Sequence, residues 1–335
     1  ELGLGRVAGN VWMVMRSLCD LADLRVVQGQ LREATDLVQE ALQWAEARGL
    51  RQLGTVGYAL VKLGEICYER NDLVAAREYV VEGVNLMQGW QQPYEMVSGY
   101  TALALILQAQ NDAAGALEAL EKAKAIRVEH PNYARLDSML NGCRIRLRLA
   151  QDGPEAATRQ AMEIRLGESS ALIFREQGQM LLARVFIEQQ KCEETLRLLV
   201  QPAQATEAGE RFGRLIEILA LQAMARQLQG DTAQALNALE KALTLGEPEG
   251  YARVFVDLGA PMATLLQQAA ARGLAPDYAS RLLSAFGTEG KEITPALLHP
   301  EATALIEPET ERELELRHLI GAGYTNRDIA EALVI

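Results

Sequence analysis

Positive charge is scarce in this 335-residue chain. Its 33 lysines and arginines stand against 45 aspartates and glutamates, a formal net charge of −12, so it lacks the basic footprint of a nucleic-acid binder. Cysteine is scarcer. Cys19, Cys67, Cys143 and Cys192 are far apart and three of them sit in apolar helical stretches, which argues against a zinc CxxC pair and a disulfide framework and for a reduced, cytoplasmic setting. No apolar run approaches the ~20 residues of a membrane span and no signal-peptide pattern is present, so no membrane partner is expected. There is no G-x-x-x-x-G-K-[ST] run: near Gly290-Lys291 the first glycine is missing and Glu292 stands where a hydroxyl is needed, so no phosphate cradle is expected within this chain. The three histidines, His130, His299 and His318, stand apart from any other metal ligand, and the apolar surroundings of Cys19 point to an inert thiol. No nucleophile, base or metal set stands together, and the chain is not expected to be an enzyme or to hold a metal or cofactor.

What the chain does contain is a comb of small residues. The teeth Ala22, Gly64, Ala104, Ile145, Ala183 and Ala223 follow one another at steps of about 40 residues. Twelve positions after each tooth stands a second, Ala34, Ala76, Ala116, Ala157, Thr195 and Ala235, and seven further a third, Ala41, Gly83, Ala123, Ile164, Pro202 and Ala242. Small side chains let helix backbones approach, and helix pairs recurring at a fixed period bury their apolar faces by stacking on their neighbours. The expected fold is therefore all-α, an α-solenoid of antiparallel helix pairs. Two octets show the repeat directly: ALEALEKA at 116–123 and ALNALEKA at 235–242, each four residues after an aspartate.

Six helix pairs are expected over residues 1–247, with turns near Gly29, Asn71, Asn111, Asp152, Gln190 and Gly230. Asp72, Asp112 and Asp231 stand where a side-chain oxygen can cap a second helix. The fourth and fifth pairs are least regular, with Ile145 and Ile164 at small-residue positions and Pro202 expected to end or bend its helix. Residues 248–286, with an apolar stretch at 254–258 and helices near 262–272 and 277–286, are placed to supply the atypical terminal unit that caps a solenoid. Residues 287–308, with three prolines and two glycines, read as a linker. A start at Glu1 and a stop at Ile335 inside an apolar helical run suggest a piece of a longer protein.

Residues 309–335 carry the most specific pattern. Thr310 with Glu313 makes a capping box, Thr325 with Asp328 nearly repeats it, and Gly321 to Gly323 separates the two helices. The run T-E-R-E-x-E…L-I-x-x-G-x-T-N-R-D-I-A-E-x-L-V-I resembles the first half of the LuxR-type DNA-binding domain. Glu309 and Arg317 depart from it, each putting charge where that family packs leucine. A solenoid before such a domain resembles the MalT-like, ATP-dependent LuxR regulators. The resemblance implies a tetratricopeptide-like (TPR-like) sensor, with Thr310, Thr325, Asn326 and Arg327 at the start of a truncated helix-turn-helix. It also implies ATP bound by a module upstream, DNA bound only through the missing remainder of that domain, and self-association controlled by a small-molecule or protein effector. The alternative is a TPR scaffold for protein partners.

In TPR arrays, which the solenoid resembles, the first helix of each pair lines the concave face. Groove positions lie six residues before the first tooth and one after it. The earlier row is Arg16, Tyr58, Ser98, Met139, Gln177 and Glu217; the later is Asp23, Glu65, Leu105, Arg146, Arg184 and Met224. The resemblance thus implies that Arg16, Tyr58, Ser98, Asp23, Glu65, Arg146 and Arg184 form the ligand-binding face, acidic at the N-terminal repeats and basic around Arg146 and Arg184. Arginine forks match carboxylate and phosphate, so a polar ligand or acidic peptide is expected; ion pairing within the solenoid is the competing reading. Trp12, Trp44, Trp90, Tyr58 and Tyr100 are expected to pack between helices.

Overall fold

The computed structural model describes residues 11–90, 92–130, 135–153, 155, 157–158 and 172–287. The segments read as linker and DNA-binding start, with Thr310, Thr325, Asn326 and Arg327, lie outside them, as does Ile164.

Among the described residues the structure is all-helical. The first helices of the six pairs are α1 (Val11–Val27), α3 (Gly54–Glu69), α5 (Pro93–Ala109), α7 (Arg135–Gln151), α8 (Leu172–Glu188) and α10 (Phe212–Leu228). The second helices described in full are α2 (Leu31–Glu46), α4 (Leu73–Leu86), α6 (Ala113–Glu129), α9 (Cys192–Ala208) and α11 (Thr232–Gly246). A 3-10 turn, Glu247–Glu249, then leads to α12 (Arg253–Val256), α13 (Ala260–Ala271) and α14 (Pro276–Gly287).

The turns follow from backbone chemistry. Gly29, Asn71, Asn111, Gln190 and Gly230 all take positive φ, the left-handed residue that stops one helix and turns the chain into the next. In the fourth pair Gly153 takes that role at φ 82, one residue beyond the expected Asp152, because glycine pays no Cβ penalty there. The carboxylates of Asp72, Asp112 and Asp231 accept from the backbone N–H of Ala75, Gly115 and Gln234, each cap contributing about 1 kcal/mol.

Every described tooth of the comb is buried, from Ala22 to Ala242. α3 and α4 cross closely, where a Cβ on Gly83 would lie 2.5 Å from the Gly57 carbonyl oxygen. Pro202 does not end its helix: α9 runs through it to Ala208. Its compact ring fills the small-residue row in the core, and the Thr206 hydroxyl donates to the Pro202 carbonyl at 2.8 Å. Of the tryptophans, Trp90 packs against Gly54, whereas Trp12 is 49 % exposed.

The first helices touch in succession, α1 to α3, α5, α7, α8 and α10, and α10 meets α1 again. One superhelical turn therefore closes into an inner ring. Gly213 makes the closure possible: a Cβ there would drive into the Val26 carbonyl oxygen and stand 3.0 Å from the Tyr251 hydroxyl. After the last pair the chain turns inward. Arg253, Val254, Phe255 and Val256 are buried, and the Ala252 N–H donates to the Glu69 carbonyl at 2.7 Å. The Tyr251 hydroxyl donates to Val26 O at 3.1 Å, and the Arg32 N–H donates to the Glu249 carboxylate at 2.8 Å. Residues 247–257 thus form a strap from the sixth pair back to the first two, while α13 packs on α10 and α11.

Candidate functional site

The proposed groove residues fall into two networks on the inner ring. The first joins Arg16, Tyr58, Asp23, Glu65 and Ser98. The Arg16 guanidinium bonds Asp20 on its own helix at 2.9 Å, pairs with the buried Glu95 of α5, and lies 5.4 Å from the Tyr58 ring centre. Lys62, 5.2 Å from the same ring centre, pairs with Asp23 at 3.1 Å and Glu65 at 2.9 Å. The Ser98 hydroxyl donates to Glu65 at 2.9 Å. Burial by itself would lower the Lys62 pKa, yet Asp23 and Glu65 hold it well above the ordinary lysine value. Lys62 is therefore a fixed cation that ties α1, α3 and α5 together.

The second network contains Arg146 and Arg184. Asp257, from the strap, accepts from Arg146 and Arg253 and, at 2.8 Å, from the Tyr68 hydroxyl. Burial acts to raise the Asp257 pKa, but Arg253 and Arg146 outweigh it and hold the carboxyl at about 2. Arg184 donates to Glu217 at 3.0 Å, and both side chains are largely shielded from water. Arg184, Arg214 and Arg146 keep Glu217 below the usual carboxylate range against the opposing effect of burial. Both arginines proposed for ligand binding are thus engaged in ion pairs within the solenoid, Arg146 with the strap and Arg184 with the next inner helix.

Between the networks lies a cavity of about 290 Å³. All six inner helices contribute to its wall: Asp23, Lys62 with Glu69, Thr101, Arg146, Gln177 and Arg214. A second space of about 180 Å³ shares Glu69, Arg146 and Arg214 and is bounded by Tyr251 of the strap. A third, of about 600 Å³, includes Tyr68, Arg146, Arg184 and Asp257. Glu69 differs from its neighbours. Its carboxylate makes no hydrogen bond or ion pair among the described residues, and burial, with Asp257 and Glu217 adding to it, pushes it up to about 7 despite Arg146 and Arg214. Among the described residues no group of three His, Cys, Asp or Glu side chains is placed to hold a metal ion. Cys19 and Cys143 are buried thiols pushed up to about 12 by desolvation.

The family model described as the MalT-like TPR region matches residues 3–272. The chain belongs to this family. The HTH-type transcriptional regulator MalT of Yersinia pestis (strain Pestoides F) is 24% identical over 341 residues, covering 95% of this chain and 37% of the relative. The chain thus spans about 37% of the length of that MalT-type relative. Two solved structures are also similar. A chain of nearly identical TPR-like repeats from Podosopora anserina has a TM-score of 0.40 at 20% identity, covering 58% of this chain and 95% of its own. A tetratricopeptide repeat protein from Parabacteroides merdae ATCC 43184 has a TM-score of 0.38 at 14% identity, covering 82% and 98%.

For this MalT-like chain the repeat register located Asp23, Glu65, Leu105, Arg146 and Gln177 of the cavity wall and missed Lys62, Tyr68, Glu69, Thr101 and Arg214. On α3 the inner stripe is Tyr58, Lys62, Glu65 and Glu69, at steps of four, three and four. Extending the two-position rule by a helical turn in each direction would have found Lys62 and Glu69. Asp257 lies outside the repeat, and no periodic signal points to it.

Proposed function

We propose that this chain is the effector-sensing and self-association region of a MalT-type transcriptional regulator. The observation that carries the reading is the closed inner ring of a MalT-like TPR region, with a polar-walled cavity to which all six pairs contribute. A compact, charged pocket suits a small solute better than an extended peptide, which needs an open groove. In this reading the region is not catalytic and acts in the cytoplasm. ATP is bound by an upstream module, and DNA by the completed domain that begins near Thr310. An effector switches the protein only by binding one state more tightly than the other. The strap joins the cavity wall to the C-terminal helices, which offers a route for that difference.

The test is a thermal-shift screen of small metabolites on this chain, followed by titration of each hit into the Arg146→Ala and Arg184→Ala variants. A hit that also changes the oligomeric state of the longer regulator supports the proposal. If no metabolite class raises Tm, the sensing reading falls.

A scaffold reading rests on a different surface. On α4 the exposed Val74 and Val81 border an outer groove of about 710 Å³ with Arg77 and Glu82, a place for a protein partner. Substituting Val74 and Val81 with serine would then abolish partner capture and leave metabolite binding unchanged.

A further inference from the structure

We propose that the inner-ring cavity is a site for a small zwitterion with an apolar side chain, of the class of a free α-amino acid. The inference deepens the sensing reading and rests on it. Most of the wall's charges are held in ion pairs: Lys62 with Asp23 and Glu65, Arg146 together with Arg253 on Asp257, and Arg184 with Glu217. Two wall groups have the weakest contacts among the described residues. Glu69, at the end of α3, makes no hydrogen bond or ion pair among them, and Arg214, at the start of α10, makes among them a 3.8 Å contact to one Glu217 oxygen while Arg184 holds the other. Both line the 290 Å³ cavity and its 180 Å³ neighbour; among the described residues no ion pair joins them, and the Arg214 charge acts on Glu69 only across that space.

An acid and a base left over on facing elements call for a ligand that carries both charges. A solute with one charge would satisfy one group and leave the other without a close counter-charge, and a neutral polyol would compensate neither charge. A zwitterion places its ammonium at Glu69 and its carboxylate at the Arg214 guanidinium, where charge-assisted hydrogen bonds are strong. The wall also carries Ile66, Leu105 and Ile106, beside the polar Thr101 and Gln177, and these apolar residues take an aliphatic side chain. The volume is that of about nine or ten waters at ~30 Å³ each, room for a solute of about nine heavy atoms such as leucine. The position of Glu69 also ties the site to the strap, because its backbone carbonyl accepts from Ala252.

The experiment is a thermal-shift and calorimetric titration of this chain with L-leucine, L-valine and L-methionine. The comparison solutes are 4-methylpentanoate, which lacks the ammonium, isoamylamine, which lacks the carboxylate, and glucose. An amino acid at about ten times its Kd should raise Tm by about 2–5 °C, and both single-charge analogues should bind at least tenfold more weakly. Glu69→Gln and Arg214→Gln should each abolish the shift, Glu69→Gln with no loss of Tm in the unliganded protein. The proposal is overturned if no amino acid raises Tm at 10 mM, if a single-charge analogue binds as tightly, or if both variants keep the shift. If glucose or another metabolite class raises Tm while amino acids do not, the ligand class is wrong and the sensing reading stands. If no class does, both fall.

Discussion

Replacing Asp257 with asparagine should loosen the strap while leaving the ring of inner helices in place. The carboxylate accepts from Tyr68, Arg146 and Arg253, and it is 10 % exposed. Its folded pKa of about 2 against an ordinary 3.8 corresponds to about 2 kcal/mol at ~1.36 kcal/mol per pH unit. Two guanidiniums left without their anion add a desolvation cost, so the full effect at pH 7 should fall between about 2 and 4 kcal/mol. The sign is that of a depressed carboxylate: its stabilisation is complete above pH 3.8 and is lost as pH falls through about 2. Urea denaturation should therefore show the variant well below wild type at pH 7, with the gap closing towards pH 2. Hydrogen exchange gives a local readout. The Ala252 amide, bonded to Glu69 O at 2.7 Å, should lose protection in the variant while amides in α3 and α5 keep theirs. A variant with the wild-type urea midpoint at pH 7 would refute the reasoning, because Asp257 would then have no measurable part in holding the strap.

Three further outcomes are expected. Glu69 is raised from 4.5 to about 7 by burial and the nearby Asp257 and Glu217, against Arg146 and Arg214, so its contribution is present below pH 4.5 and lost as pH rises through 7. Glu69→Gln should thus gain up to about 3 kcal/mol on wild type between pH 5 and pH 8, and identical pH profiles in thermal melts would contradict this. Gly213→Ala puts a methyl against the Val26 carbonyl and should separate α10 from α1 at about 1–3 kcal/mol; small-angle scattering that shows no expansion, with an unchanged Tm, would contradict the closure argument. Ala116→Leu and Ala235→Leu, both at fully buried teeth, should each lower stability by about 1–3 kcal/mol, and wild-type melting of both would mean that the comb does not mark the helix crossings.

The periodic part of this protein was legible from its residues, since a solenoid pair contacts mainly its neighbours and local rules propagate along the chain. Small teeth mark most of the crossings because a close backbone-to-backbone approach leaves little room for a side chain, with Ile145, Thr195 and Pro202 as the larger exceptions. Asparagine and glycine mark the turns because they accept positive φ, and Asp72, Asp112 and Asp231 mark helix starts because their oxygens reach the second or third free N–H. The inner-face rows also put Arg16, Tyr58, Ser98, Asp23, Glu65, Arg146 and Arg184 on the first helices' inner face, but not the contacts that join them. Their partners could not be read the same way. Arg146 meets Asp257 across 111 positions of sequence, and whether a groove stays open or closes depends on small rotations summed over six pairs. Only the tertiary structure shows α10 returning to α1 through Gly213 and the strap entering between pairs one and two. Closure turned a groove of charged positions into ion pairs with a cavity between them, because side chains from non-neighbouring repeats came within reach of one another, leaving Glu69 and Arg214 with the weakest contacts among the described charges of its wall.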